Sequence, residues 1–481
     1  MEKRNWKILY SNYTGMEKKA VDLVSEEVGR HILRDKGVYS LHVLACEKVG
    51  APIDGKNIIV IGRYEENELI RTYIKKEEIP KDGYVVRVID NPENTELKIA
   101  LITGDTPAAV FYGAVDFVDD YFVKAAKLYG SMHYTETIFC DKLSDYYNAS
   151  APTAKTRSLF LWGHTINDYH DYIKNAARMR INQLVLWNLY CPINADEVVE
   201  FAHEYGIEIL WGYSWGWQDS KVHQENPDLD LDKLKDIIVA EFNDCYAGIK
   251  GDGIYFQSFT ETVAERIANG RLIADVVVDL VNRTTAALLE ERPEMHIQFG
   301  LHATSVKERL EYIAKVDPRV EIVWEDCGAF PFNYAVDDKG DFEGTWEFIH
   351  KILNLRENGR TGLYYKGQVV MDWRPGIFAQ QSGPYILGRN SEEIIQHDRE
   401  LHTPMWRYLQ SEWMEFGYKA YEMTRRIVET SKGNVNIGMA GTLSGGIWYP
   451  TALCAQMLWD CSRPYEEIVS MVQKRHCVTM A

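Results

Sequence analysis

The sequence lacks the features of several protein classes. No apolar run approaches the roughly 20 residues of a membrane span, and the start, MEKRNWKILYSNYTG, lacks the apolar core of a signal peptide. The 8 cysteines include no CxxC pair, which favours reduced thiols over a disulfide framework or a zinc site. Gly62 and Gly104 end predicted strands but belong to no dinucleotide-binding or phosphate-binding glycine motif. We therefore expect a cytoplasmic protein that uses no metal ion and no organic cofactor.

Positive charge is also scarce relative to negative charge. The 481 residues carry a formal net charge of -18, which opposes binding to a nucleic-acid backbone or an anionic membrane surface. The composition, 46% hydrophobic and 26% charged, is that of a globular protein with a sizeable core. We expect neither nucleic acid nor membrane as a partner, while the sequence leaves a homo-oligomer open. An anionic substrate would need a local cationic pocket.

Two domains are predicted from the order of apolar patterns. Residues 1–150 alternate helix and strand patterns and should form a small α/β domain. In residues 151–481 an apolar strand is repeatedly followed by an amphipathic helix. The strands are predicted at 158–164, 182–188, 207–217, 253–261, 295–303, 320–328, 362–374 and near 441–450. Eight such units predict a (β/α)8 barrel, with an open doubly wound sheet as the alternative.

Aromatic and polar residues gather at the predicted strand ends. In a barrel these ends share one mouth, where indoles could stack on sugar rings while polar groups bind hydroxyls. We therefore expect a carbohydrate substrate. The candidate substrate-binding residues are Trp162, His164, Trp211, Trp215, Gln257, His302, Trp324, Lys366, Trp373, Arg374 and Trp448. For Lys366 and Arg374, ordinary pairing with Glu325 or Asp326 is an equal alternative to substrate binding.

The stretch GIYFQSFTET, residues 253–262, is the centre of the predicted site. Its apolar residues favour a strand, and a long helical pattern follows it. Glu261 would then lie just past the end of the fourth barrel strand, where catalytic groups are found in such barrels. A solvated or helix-capping glutamate is the alternative interpretation.

Several segments resemble one group of sugar-cleaving enzymes. The chain that opens its barrel with RSLFLWG and continues with MRINQLVLWN and AHEYGIEIL resembles the family 67 α-glucuronidases and the related family 20, 84 and 89 hexosaminidases. YYKGQVVMDWRPG resembles the α-glucuronidase segment KNGP-x-DFQ-x-REP, and TALCAQMLWDCSRPYEEI resembles the final barrel helix. The resemblance implies an exo-acting glycoside hydrolase with Glu261 as its catalytic acid. Arg374-Pro375-Gly376 departs from the family's REP sequence.

Glycoside hydrolysis needs a second carboxyl group besides the acid. Glu325 and Asp326 at the end of strand six, and Asp372 at the end of strand seven, are the candidates. The sequence does not choose among them, and it leaves inversion, retention and the identity of the terminal sugar open. An N-acetylhexosaminidase and a carbohydrate-binding barrel without catalysis are the alternative functions.

Overall fold

The computed structural model describes most of the chain. The described residues are 6–31, 45–48, 50, 57–122, 127–129, 137–139, 143–162, 166–187, 190–216, 228–259, 266–302, 309–326, 342–356, 359–367, 389–440 and 448–474. The chain divides into two compact units. The first contains residues 1–152, 204–206 and 473–476, and the second contains 153–203, 207–472 and 477–481.

The first unit contains a mixed β-sheet with helices. Its strands pair in the order β2-β1-β3-β5-β4-β8, with β4 antiparallel to both neighbours and the other pairs parallel. These strands are β1 (Trp6–Tyr10), β2 (Ala45–Lys48), β3 (Asn57–Ile61), β4 (Tyr84–Asn91), β5 (Asn94–Gly104) and β8 (Tyr146–Ser150); β6 (Lys127–Tyr129) and β7 (Thr137–Phe139) form a separate hairpin. The helices are α1 (Gly15–His31), α2 (Glu68–Tyr73) and α3 (Pro107–Val115).

Local sequence explains the third helix of this unit. Thr106 accepts a hydrogen bond from the backbone N–H of Ala109, and Pro107 occupies the first turn, where its missing N–H costs nothing. A π-helical segment, Asp116–Phe122, continues the chain. Leu9, Ile58 and Leu101 belong to a buried apolar cluster on the sheet, so the first unit has a core of its own.

The second unit is a closed barrel of eight parallel strands within the described part of the chain. They follow the chain order around the barrel, from β9 through β12, then β15 through β18, which returns to β9. The strands are β9 (Thr156–Trp162), β10 (Gln183–Trp187), β11 (Glu208–Ser214), β12 (Gly253–Gln257), β15 (His296–His302), β16 (Glu321–Glu325), β17 (Thr361–Tyr365) and β18 (Asn436–Ala440). This topology confirms the predicted (β/α)8 barrel and excludes the open sheet.

Helices alternate with the barrel strands as predicted. They are α4 (Tyr169–Arg178), α5 (Ala195–Glu204), α6 (Leu231–Cys245), α7 (Ile273–Glu291), α8 (Leu310–Ile313), α9 (Phe342–Leu353), α10 (Glu392–Ser431), α11 (Trp448–Trp459) and α12 (Tyr465–Lys474), and a short hairpin of β13 (Ile267–Ala268) and β14 (Arg271–Leu272) precedes α7. Asp168, Asp230 and Ser391 cap the starts of α4, α6 and α10 through their side-chain oxygens.

The position predicted for the last strand is wrong. The segment GTLSGGIWYP was expected to form it, but the eighth strand is β18 and Trp448 begins helix α11, while residues 441–447 of the segment lie outside the described residues. Gly438 explains why β18 has a weak sequence signal, since glycine is a poor strand former. A Cβ at Gly438 would lie 2.4 Å from Cε1 of Tyr364, so the ring of this tyrosine takes the space of the absent side chain.

The barrel interior is layered because side chains of a strand alternate between its two faces. A middle layer is apolar and aromatic and contains Phe160, Val185, Trp187, Leu210, Tyr255, Val323 and Tyr364. Nearer the amino ends of the strands lies a polar layer. Its members are Ser158, Gln183, Glu208, His296, Gln298, Glu321 and Asn436, joined by hydrogen bonds such as Ser158 Oγ to Gln183 Oε1 at 2.7 Å.

The expectation of reduced cysteines fails at one pair. Cys191, in the segment after β10, is joined by a disulfide to Cys245 at the end of α6, with the two Cα atoms 4.9 Å apart. These residues are 54 positions apart in the sequence, so their proximity arises from the barrel and not from local spacing. None of the described helices has the length and apolar character needed to cross a bilayer.

Candidate functional site

Three polar side chains meet at the carboxyl ends of the barrel strands. Gln257 ends β12, Glu325 ends β16, and Lys366 follows β17 directly. All three are at most 1% exposed. The carboxyl ends of the strands are where barrels of this kind carry their active sites. The structure thus brings Gln257, Glu325 and Lys366 together at this end of the barrel, and their roles stay a prediction.

Glu325 is held by partners on both carboxyl oxygens. Tyr255 donates its hydroxyl proton to Oε1, and Gln257 Nε2 donates to the same oxygen at 2.5 Å. Oε2 forms an ion pair with the ammonium group of Lys366, and neither side chain of this pair is exposed. A buried charge is tolerated when it is paired and hydrogen-bonded in this way. The result is a carboxylate fixed in orientation.

Tyr255 remains a hydrogen-bond donor in this arrangement. Burial raises the pKa of its hydroxyl well above the ordinary value, and the neighbouring carboxylate of Glu325 raises it further. The phenol therefore keeps its proton at physiological pH and directs it at Glu325.

A glycine makes room for this contact. Gly300, on β15 between the strands of Tyr255 and Glu325, has no side chain on the interior face. A Cβ at this position would lie 1.9 Å from the hydroxyl oxygen of Tyr255 and 2.4 Å from Cζ. Because the ring crosses β15 at this point, the hydroxyl can reach β16, two strands away from its own.

Asp326 occupies a different position from its neighbour Glu325. It is 5% exposed, and its Oδ1 accepts a hydrogen bond from the backbone N–H of Lys366 at 2.9 Å. Its own backbone N–H donates to the carbonyl oxygen of Tyr364 at 3.2 Å. Asp326 thus joins the ends of β16 and β17 and holds the segment that carries Lys366.

Three of the predicted sugar-stacking indoles are packed against other aromatic rings. The Trp215 ring stacks on Phe256 with centroids 3.6 Å apart, and Trp324 makes an edge contact with Phe348 of helix α9 at 5.2 Å. The ring of Trp211 lies 6.5 Å from that of Tyr246, which follows helix α6. On their strands, Trp211 and Trp324 alternate with the interior residues Leu210, Val323 and Glu325. This placement corrects the expectation that these indoles line an open mouth: they pack outside the barrel wall.

The remaining predicted residues fall wholly or partly outside the described residues. His164, Glu261, Asp372, Trp373 and Arg374 lie outside them. For Trp162, His302 and Trp448 only the backbone is described. The Cα of His302 pairs with that of Glu325 across β15 and β16, and the Cα of Trp162 pairs with that of Trp187.

Sequence reasoning missed one described residue of this region. Tyr255 was treated only as a strand former, yet it lies two positions before Gln257 and therefore on the same face of β12. Trp187 is 8% exposed, belongs to the middle layer, and places its ring 6.0 Å from that of Tyr255. Alternation along β12 would have placed Tyr255 on the same face as the candidate residue Gln257.

Comparison with known proteins gives matches to solved structures. No protein-family model and no curated protein sequence matches the chain. A GH20 β-N-acetylhexosaminidase from Streptomyces coelicolor A3(2) is similar over 98% of this chain and 91% of its own, with 10% identity and a TM-score of 0.53. The Streptomyces plicatus N-acetyl-β-hexosaminidase gives 97% and 91% coverage, 11% identity and a TM-score of 0.50.

A further match is a family GH115 4-O-methyl-α-glucuronidase with specificity for decorated arabinogalactans. The TM-score is 0.46, the identity is 12%, and the chain covers 57% of that longer protein. At such identities the likenesses concern the fold. The matches to the two hexosaminidases agree with the described topology, a mixed α/β unit and a (β/α)8 barrel, over nearly the whole length of those proteins.

Proposed function

We propose that this protein is a glycoside hydrolase that removes a terminal sugar from an oligosaccharide. The observation that supports it best is the fixed carboxylate of Glu325 at the carboxyl end of the sixth barrel strand. Tyr255 and Gln257 reach it from the fourth strand, and Lys366 reaches it from the end of the seventh. A carboxylate held rigidly can stabilise the positive charge that develops at the anomeric carbon during hydrolysis.

Glu325 is our choice for the second carboxylate of the reaction. It occupies an interior position of β16, whereas Asp326 follows on the opposite face and binds the backbone of Lys366. Asp372, the third candidate, lies outside the described residues. Glu261 remains the predicted general acid on the strength of its place after β12.

The identity of the terminal sugar is a more specific part of the proposal. An α-glucuronidase must neutralise a uronate carboxylate, and Lys366 and Arg374 are the two cations among the predicted substrate-binding residues. Its ammonium group is already paired with Glu325. Only Arg374 of the predicted pair then remains for a uronate, so a neutral or N-acetylated sugar fits the described residues better. The α-glucuronidase is the rival within the same reaction class.

The remaining predictions from the sequence are kept as part of this proposal. They are a cytoplasmic location, a reaction without metal or organic cofactor, and no nucleic-acid or membrane partner. The disulfide between Cys191 and Cys245 is unusual for a cytoplasmic protein, because the cytosol keeps most thiols reduced. A sugar-binding barrel without catalysis is the alternative from another class, and turnover of any glycoside separates it from the enzyme.

The test is a set of charge-removing variants at the ion pair. Glu325→Gln keeps the size of the side chain but leaves Lys366 buried without its partner, which costs about 3–5 kcal/mol of unfolding free energy. Glu325→Gln with Lys366→Met removes both charges and should recover much of that stability. If Glu325 acts on the substrate, turnover of an aryl glycoside stays lower by a factor of about 10² or more in the double variant.

Lys366→Met alone and Glu261→Gln complete the set. Unfolding in urea and turnover are measured on every variant. A double variant that regains both stability and turnover would show that Glu325 supports the fold alone, and the assignment would then fail. An unchanged turnover in Glu261→Gln would remove that residue from the role of general acid.

A further inference from the structure

A cavity of about 300 Å³ lies near the amino ends of the third, fourth and fifth barrel strands. Glu325 and Lys366 lie at the carboxyl ends of strands, so this cavity is a separate place on the barrel. Its lining combines aromatic rings, charged groups and glycine, among them Glu208, Trp211, Phe242, Gly251, Arg292 and His296.

One wall of the cavity carries a buried donor that has no partner among the described residues. The Trp211 side chain is 1% exposed, and its Nε1–H makes no hydrogen bond within the described structure. A Cβ at Gly251 would lie 2.5 Å from Nε1 and 2.6 Å from Cδ1, so the N–H edge of the indole faces this glycine of the cavity. Leaving a buried donor unsatisfied is unfavourable, and a ligand oxygen that accepts from it would remove that cost.

The charges of the cavity are largely paired with one another. Glu208 Oε1 lies 2.8 Å from Nδ1 of His296, and Asp252 Oδ2 lies 2.8 Å from Nε2 of His203. Burial opposes a charge on His296, but the carboxylates of Glu208 and Glu321 outweigh it and raise its pKa to about 10, so the imidazolium persists at neutral pH. The lining therefore offers hydrogen-bond donors and acceptors without a strong excess of one charge.

The remaining polar groups lie beside aromatic rings. The guanidinium of Arg292 lies 5.5 Å from the Phe242 ring centroid and donates to the carbonyl oxygen of Ala247. Glu294 contributes a carboxylate as a hydrogen-bond acceptor. Aromatic faces combined with donors and acceptors of both kinds suit a ring that has apolar faces and hydroxyl edges.

We propose that this cavity binds a single neutral sugar ring, with a ring or hydroxyl oxygen accepting from Nε1–H of Trp211. Its volume lies at the lower end of the range for ligand pockets, about 300–1,000 Å³, and thus suits one ring better than a chain. An anion would meet three carboxylates, and a cation would meet Arg292 and His296. The proposal goes beyond the proposed hydrolysis, because binding here involves none of the residues around Glu325.

The experiment observes the indole N–H of Trp211 directly. Tryptophan labelled with ¹⁵N at the indole nitrogen gives one cross-peak for each of the 13 tryptophans, and Trp211→Phe identifies the peak of interest. The full-length protein is titrated with D-glucose, D-galactose and N-acetyl-D-glucosamine. We expect at least one sugar to shift the Trp211 peak in a saturable manner. A sugar bound at the carboxyl ends of the strands would instead shift other indole peaks.

Two glycine variants provide the matched comparison. Gly251→Ala places a methyl group against Nε1 and should weaken the sugar affinity measured at this peak by about tenfold or more. Gly248→Ala adds the same methyl three residues earlier, where no atom of the described part of the chain lies within 4 Å, and should leave the affinity unchanged. Arg292→Met replaces Gly251→Ala if the latter does not fold, with the same expected loss.

A Trp211 peak that stays in place with all three sugars would overturn the proposal. Equal affinities in the wild type, Gly251→Ala and Arg292→Met would overturn it as well. Both results are independent of turnover, so this proposal and the proposed hydrolysis can fail separately.

Discussion

The ring of Tyr255 passes close to the backbone at Gly300, and this close approach helps to position the Glu325 carboxylate of the candidate site. The hydroxyl of Tyr255 passes over this glycine to reach Glu325, and its ring packs against Trp187 and Phe160. Since barrel interiors are densely packed, the ring has little space into which it could move. The hydrogen bond from Tyr255 to Glu325 therefore depends on the absence of a side chain at Gly300 on the intervening strand.

Gly300→Ala tests this dependence. The new methyl would overlap the Tyr255 hydroxyl, so the ring must shift and the hydrogen bond to Glu325 is lost. Overpacking of this kind costs about 1–3 kcal/mol of unfolding free energy, and turnover should fall as well. Unfolding in urea and the rate on an aryl glycoside measure the two effects, with Gly248→Ala as the control. Wild-type values for both quantities would show that Tyr255 does not need the space at Gly300.

At the scale of elements, His296 connects three strands of the barrel. It begins β15 and lies between Glu208 of β11 and Glu321 of β16, at 2.8 Å and 3.0 Å. Gln183 and Gln298 extend these contacts through further hydrogen bonds. A buried polar layer of this kind is stabilising as long as its charges and hydrogen bonds remain satisfied.

The charge of His296 predicts how stability depends on pH. Its pKa in the folded state is about 10, against about 6.5 in the unfolded chain. The stability that it contributes is fully present below about pH 6.5 and is lost as the pH rises through about 10. Urea unfolding of the wild type should therefore show a decreasing free energy over this interval. His296→Gln should flatten the slope, and the exposed His350→Gln should retain it.

In the same polar layer, Glu208 gives the free energy of unfolding the opposite dependence on pH. Burial opposes the charge of Glu208, but hydrogen bonding to His296 outweighs it and holds the pKa of this carboxyl below its ordinary value. Its contribution to stability is present above the pKa of the unfolded chain and is lost as the pH falls through the folded value. The two groups together favour a stability maximum in the mildly acidic range.

For the molecule as a whole, the net charge of -18 bears on the choice of substrate. A uronide would approach a protein of like charge and would need a local cation that is not already paired. We expect 4-nitrophenyl hexosides or N-acetylhexosaminides to be cleaved faster than the glucuronides and galacturonides. A panel of these substrates, repeated with Arg374→Ala, measures this preference. Faster cleavage of a uronide, lost in Arg374→Ala, would instead favour the α-glucuronidase.

Much of the architecture was accessible from the sequence. Repeated apolar strands followed by amphipathic helices predicted a (β/α)8 barrel, and a closed barrel is observed. The pattern failed at the last strand, because β18 contains Gly438 where Tyr364 needs space, while the aromatic segment after it has the stronger strand propensity. Propensity describes single residues and carries no information on the ring of Tyr364, which pairs with Gly438 from the neighbouring strand.

The sequence by itself determined which residues alternate along each strand, and therefore that Tyr255 shares a face with Gln257, and Val323 with Glu325. Only the closed barrel decided which of the two faces is the interior, because alternation has the same period for both. That choice places Trp211 and Trp324 against the helices and Glu325 inside. It also pairs Glu325 with Lys366, since closure brings the ends of β16 and β17 side by side, although 41 residues separate the two in the chain.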